Sequence, residues 1–221
     1  VRYRCLILDH DDTAVDSTGR VHYPAHVEAM RRLRPTEKPV SLETWFAKNF
    51  EPGIMPYLVG ELGMTEAELE VEDRIWKEFT STRTPPFFPG FLEAVADYVG
   101  AGGRFVVVSH SEESVIRRHY AASVNGARLH PELIFGWELG EDRRKPYPYP
   151  VTETLRRLNL APDEVLVVDD LKPGVDMARA AGVDAAAACW SHDIGPVRDF
   201  MEEACVATFD TVDDFREFIL R

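Results

Sequence analysis

An apolar run, Leu6-Ile7-Leu8, ends abruptly in Asp9-His10-Asp11-Asp12-Thr13, which places three acids within four residues. A run of this kind, starting at Tyr3, reads as a buried strand of a parallel sheet. In open α/β sheets, ligands bind in the crevice at the carboxyl ends of the strands. Asp9 and Asp11 therefore fall where chemistry is expected. Two carboxylates this close do not both ionise cheaply without a cation. A hard metal with oxygen ligands, Mg²⁺, is the simplest remedy.

Two further apolar strands end in polar residues: Arg104–Val108 runs into Ser109, and Val165–Val168 into Asp169-Asp170. Helical patterns alternate with them. Helices are expected over Phe91–Gly100, Glu112–Ser123, Tyr149–Leu158 and Gly174–Ala181, after Gly195, and around Phe215, Phe218 and Ile219. Further strands are expected over Leu133–Trp137 and Asp184–Cys189. Strands alternating with helices predict an α/β, doubly wound, Rossmann-like parallel sheet. The strand pattern stops after Thr13 for far longer than a usual βα connection. In that gap Thr65-Glu66-Ala67-Glu68 reads as a capping box opening a helix through Thr82. Ser41 starts a helix carrying Trp45, Phe46 and Phe50, and another carries Val27, Met30 and Leu33 to Arg34-Pro35. The expected organisation is a core of residues 1–14 and 87–221 with an all-helical subdomain, 15–86, inserted.

The order along the chain is acid pair, hydroxyl, lysine, acid pair: Asp9-x-Asp11-x-Thr13, Ser109, Lys145 followed by Pro146, Pro148 and Pro150, then Asp169-Asp170. At these four motifs, over residues 3 to 190, the chain resembles the haloacid dehalogenase (HAD) superfamily of phosphohydrolases. The resemblance makes the inserted helical block a cap that closes over substrate and excludes water. It implies a Mg²⁺-dependent phosphatase hydrolysing a small phosphomonoester. Asp9 is then the nucleophile that forms an aspartyl phosphate, and Asp11 the general acid and base. Lys145 neutralises charge shared by phosphate and Asp9. Ser109 contacts the phosphate, helped by backbone N–H groups at a helix start; Thr13 is a further candidate contact, and His110 either touches the substrate or packs beneath the loop. Mg²⁺ is held by Asp9, Asp169, Asp170 and the backbone carbonyl of Asp11. Trp45, Lys48, Asn49, Tyr57 and Arg83 are the cap residues available to read the leaving group, although aromatic residues there are more often core than site.

Asp12 departs from the pattern, because the family usually carries glycine at this position. Aspartate tolerates unusual backbone angles better than most residues but less well than glycine, and its carboxylate must point away from phosphate or be neutralised. His10 suits packing beneath the motif. His22 and His26 sit four apart, a spacing that can hold a metal on a helix, yet no third ligand accompanies them. Asp176 reads as a surface acid.

The same motifs suit a sugar phosphomutase, or a phosphonate hydrolase using a cap lysine such as Lys38, Lys48 or Lys77. A receiver-like signalling module or a non-catalytic phosphate-binding protein remains open from another class, although a receiver carries its acid on a middle strand and lacks a helical insert. A net charge of −13 disfavours nucleic acid as a partner. No apolar run is long enough to cross a bilayer and no secretory leader is evident. Three scattered cysteines, Cys5, Cys189 and Cys205, suit a reducing cytoplasm. The expected partner is a small phosphorylated molecule. Oligomeric state is not legible.

Overall fold

The computed structural model describes residues 1–122 and 129–221. Among them, six strands form one sheet: β1 (Cys5–Leu8), β2 (Arg104–Val108), β3 (Ile134–Phe135), β4 (Val165–Asp169), β5 (Asp184–Ala188) and β6 (Ala207–Phe209). Their order is β3-β2-β1-β4-β5-β6, and every pair is parallel. This is the doubly wound sheet that the alternating pattern implies, with β1 at its centre. Leu8 lies beside Val107 on one side and Val168 on the other. All four β1 residues are buried, which a parallel sheet covered on both faces requires.

The chain divides into two compact units, Val1–Val15 with Phe87–Arg221, and Asp16–Pro86. The first is built on the sheet. Leu6, Leu8, Val107 and Val168 pack with Phe91, Tyr98 and Phe215 from the helices Phe91–Gly100 and Val212–Ile219. The fully buried Tyr98 donates its hydroxyl to the Tyr3 carbonyl at 2.8 Å, so no polar atom is stranded there.

Several boundaries differ from the sequence pattern. The first strand begins at Cys5 rather than Tyr3. The expected strand Leu133–Trp137 shrinks to Ile134–Phe135. Gly136 is pressed so closely on the next loop that a Cβ would lie 2.7 Å from the Glu113 nitrogen and 2.8 Å from the Ser111 oxygen. Trp137 then donates its N–H to the Ser111 carbonyl at 2.9 Å and opens a single 3-10 turn, Trp137–Leu139. The strand expected to reach Cys189 stops at Ala188. The helix expected over Glu112–Ser123 is described as Glu113–Ala122, and Ser123 lies outside the described residues. The helix expected from Gly174 opens two residues earlier, at Lys172, with a proline in its first turn. The edge strand β6 escaped the sequence reading because three residues carry no measurable period.

The second unit is helical. Its longer helices are Tyr23–Leu33, Leu42–Phe50 and Glu66–Thr82. Ser41 caps the second by accepting the Thr44 N–H at 3.2 Å. Thr65 and Glu68 form a reciprocal capping box on the third. Residues Ile54–Glu61 add short turns that the sequence did not announce. Met30, Trp45, Tyr57, Leu58 and Met64 form the core of this unit. Trp45 and Tyr57, weighed above as cap readers, are buried in it. Lys48 is paired with Glu61 at 2.6 Å, the Asn49 amide with the Trp45 carbonyl at 2.8 Å, and Arg83 with the Arg20 carbonyl at 3.0 Å. His26 stacks on Trp45 with ring centroids 4.1 Å apart, and His22 accepts the Trp76 indole N–H, so the two histidines serve separate aromatic contacts. Among the described residues, no helix is long and apolar enough to cross a membrane.

Two consequences are measurable. Burial lowers the His26 pKa from 6.5 to about 4, and neither ring nitrogen has a hydrogen-bond partner. The unfolded chain then binds a proton that the folded one refuses, so stability is complete above pH 6.5 and falls as the pH drops toward 4. His26→Phe, which keeps a flat ring on Trp45, reduces this acid loss, and thermal melts of both proteins from pH 7 to pH 5 will diverge as the pH falls. The second concerns Gly174, where a Cβ would lie 2.0 Å from an Asp169 carboxylate oxygen. Gly174→Ala therefore overpacks a buried site and costs about 1–3 kcal/mol in urea unfolding.

Candidate active site

β2, β1 and β4 are neighbours, and adjacent strands lie about 4.8 Å apart. Asp9 follows β1, Ser109 follows β2, and Asp169 closes β4. Asp9 continues the ladder, donating its N–H to the Val168 carbonyl at 2.9 Å. Connections wind away in opposite senses on either side of β1, which opens the crevice typical of such sheets at their carboxyl edge. The loop before the helix Tyr149–Leu158 brings Lys145 back over this edge.

Lys145 Nζ donates to Asp9 Oδ1 at 2.6 Å and to Asp169 Oδ2 at 2.7 Å, and all three residues are buried. Asp169 Oδ1 accepts the Leu171 N–H at 3.0 Å. Asp170 accepts from the Thr13 hydroxyl at 3.4 Å and pairs with His192 Nε2 at 3.1 Å. Asp11 is turned elsewhere. Its Oδ2 accepts the hydroxyls of Ser109 at 2.9 Å and Ser111 at 2.7 Å. Two aspartates two positions apart thus have different neighbours, an ammonium for one and two hydroxyls for the other.

Carboxylate oxygens of Asp9, Asp169 and Asp170 lie within 4.8 Å of one another. Burial first, then the Asp169 charge, pushes Asp9 and Asp170 well above the usual carboxylate range, while Lys145 opposes the rise. Burial works to lower Lys145, but Asp169 and Asp9 outweigh it and raise its pKa. One ammonium does not balance three buried carboxylates. The cluster offers oxygen donors alone, which fits a hard divalent cation. The Asp11 carboxylate is not part of this cluster.

Asp12 adopts a positive φ of 61°, the left-handed conformation that aspartate tolerates better than most residues. Its charge acts on Asp170 and on His192, favouring the protonated imidazole against the burial that lowers it. His10 is fully buried and packs on His119, with Nε2 2.9 Å from His119 Nδ1. His110 Nε2 lies 2.8 Å from the Lys145 carbonyl, and burial, followed by the Lys145 charge, lowers its pKa to about 4. Asp176 is half-buried and faces Arg179 at 3.7 Å.

Three residues here escaped the sequence reading. Ser111 was legible as the second serine of Ser109-His110-Ser111. Gly174 leaves the space that the Asp169 side chain fills. His192 follows β5, a strand that carried no motif, and nothing in the local sequence distinguishes it.

A family model for haloacid dehalogenase-like hydrolases matches residues 3–182. A phosphoglycolate phosphatase of Mesorhizobium japonicum is 27% identical over 57% of this chain, a match that spans only 54% of that protein. Another phosphoglycolate phosphatase, from Aquifex aeolicus, is 24% identical over 86% of each chain. A solved haloacid dehalogenase-like chain from Bacteroides fragilis has the same fold, with a TM-score of 0.80 at 18% identity and coverage of 96% of this chain and 99% of that one. The matched span contains all four motifs and the buried Asp9–Lys145–Asp169 contact, and the chain belongs to the haloacid dehalogenase-like hydrolases.

Proposed function

We propose that this chain is a Mg²⁺-dependent phosphatase that hydrolyses a small phosphomonoester through attack by Asp9. The observation that carries the reading is the unlike setting of Asp9 and Asp11. Titratable groups of one kind held in different environments take different roles. Phosphoryl transfer needs an in-line nucleophile, a proton for the leaving oxygen and positive charge around the transferred group.

Asp9, held at one oxygen by Lys145, attacks phosphorus. The new bond from Asp9 oxygen to phosphorus forms as the bond to the ester oxygen breaks, and Asp11 gives its proton to that departing oxygen. Asp11, now a carboxylate, takes a proton from water. The water oxygen attacks phosphorus, and Asp9 and inorganic phosphate separate. Lys145 offsets the charge on the phosphoryl oxygens and fixes the Asp9 carboxylate. The Ser109 and Ser111 hydroxyls aim Asp11, and Ser109 would donate to a phosphate oxygen once substrate is bound. Asp9, Asp169 and Asp170, with the Asp11 carbonyl, are the groups that would hold Mg²⁺, which when bound supplies Lewis-acid charge compensation. The phosphoglycolate phosphatases among the relatives favour a small substrate, and a phosphoglycolate-like acid is the first to test, ahead of sugar phosphates and nucleotides.

Phosphate release from an aryl phosphate and a panel of small phosphomonoesters will require Mg²⁺, stop with chelator and resume when Mg²⁺ is restored. Asp9→Asn will release no phosphate above background. Asp11→Asn will lose about 10²- to 10⁴-fold in kcat, the usual contribution of a general acid. Turnover by Asp9→Asn at the native rate, or no release from any ester by the native protein, would sink the reading.

A further inference from the structure

Lys145 has an arginine on each of its two preceding positions, and the two behave differently. Arg143 is exposed and lies over Tyr149 at 5.2 Å. Arg144 is half-buried, with its guanidinium 3.3 Å from the centre of the Trp137 ring. Most arginines of this acidic chain are ion-paired: Arg4 with Glu164, Arg34 with Glu68, Arg104 with Glu132, Arg198 with Asp210. Arg144 has no ion pair and its guanidinium no hydrogen bond among the described residues. Burial lowers its pKa, and Glu141 is the acid that opposes this. The carboxylate of Glu138, the residue after Trp137, accepts the Glu113 N–H at 3.1 Å. A partly desolvated cation without an acceptor is costly, and stacking on an aromatic face recovers only part of that cost.

The platform beneath it is fixed to the candidate active site. The Trp137 N–H is bonded to the carbonyl of Ser111, whose hydroxyl holds Asp11. Gly136 has no room for a side chain against Ser111 and Glu113, so the register of Trp137 cannot slip. The Arg144 N–H is bonded to the Gly140 carbonyl at 3.1 Å. Its Cα is about 3.8 Å from that of Lys145, the residue that reaches Asp9. The Arg144 charge also reaches His110, next to Ser109, where it helps lower the imidazole pKa. Stacking covers a face of the guanidinium and leaves the N–H donors around its edge for a planar anion.

We infer that Arg144, held against Trp137, receives a second anionic group of the substrate, a carboxylate or a second phosphate, while the ester phosphate is at Asp9. The assignment rests on the phosphatase reading and narrows it to phosphomonoesters that carry a second anionic group. Trp137 is a positioning residue, since it acts through Arg144.

The test compares kcat/KM of the native protein, Arg144→Gln, Arg144→Lys and Trp137→Leu, with Mg²⁺, on 2-phosphoglycolate, a sugar bisphosphate and an aryl phosphate whose aryl group carries no charge. Arg144→Gln will lose at least about tenfold more on an ester with a second anionic group than on the aryl phosphate, as expected for loss of a charged hydrogen bond, and chiefly through KM. Arg144→Lys will recover part of the difference, and Trp137→Leu will show a smaller loss of the same selectivity. A loss confined to phosphoglycolate identifies the group as a carboxylate, and one confined to the bisphosphate identifies a phosphate. Equal losses on all three esters, or none, overturn the assignment while leaving the phosphatase reading intact. If the native protein hydrolyses no ester, the phosphatase reading fails and this assignment falls with it.

Discussion

The Lys145 ammonium between Asp9 and Asp169 is the contact on which the arrangement depends. Three carboxylates from the ends of two neighbouring strands are buried together, and Lys145 is the cation that touches two of them. Removing like charges from water is unfavourable, and their mutual repulsion adds to that cost. The sheet is what imposes it. Parallel β1 and β4 in register set Asp9 beside Asp169, and hydrophobic burial along both strands holds them there. Folding thus supplies the energy that keeps an electrostatically unfavourable cluster together, leaving the cluster receptive to cations. The same logic explains Asp11. It lies beyond the strand, half-exposed, and is satisfied by neutral hydroxyls.

Much of the fold was legible because its signals are local. Leu6-Ile7-Leu8 and Val165–Val168 are short apolar runs that only a covered parallel strand accommodates. Thr65 and Glu68 announce a helix start through groups three residues apart. The candidate site was legible where a residue type recurs at a strand end, as at Asp9, Ser109 and Asp169. The rest depends on contacts between segments distant in sequence. His192 meets Asp170 across two strands, and Gly174 matters only through the volume of the Asp169 side chain. The end of β3 is set by the close approach of Gly136 to Ser111, which no window around residue 136 contains. In the helical unit, Trp45 and Tyr57 are candidate leaving-group readers by sequence, although an aromatic side chain there more often serves a core. Packing against Met30, Leu58 and Met64 decides it.

Asp12 shows how a departure from a family pattern is accommodated. A glycine would reach a positive φ without strain and without charge. The aspartate pays a modest conformational penalty and adds a fourth acid near Asp170, with His192 beside both. The loop that carries His192 is itself anchored, since the Trp190 indole donates to the Thr13 carbonyl at 3.1 Å. Substitution at residue 12 and the loop after β5 therefore belong to one electrostatic unit, though 180 residues of chain separate them.

Val15 and Phe87 form an antiparallel bridge, flanked by Phe88 N–H to the Ala14 carbonyl and Asp16 N–H to the Pro86 carbonyl, both at 2.9 Å. From the standpoint of the sheet, everything between these residues is a loop whose ends are already tied. Lengthening such a loop costs little, about 0.6 kcal/mol for each doubling. The intervening segment can then be lengthened, shortened or exchanged without altering a single strand pairing. The bridged pair Val15–Phe87 thus closes the sheet's side of the insertion independently of what the insertion contains.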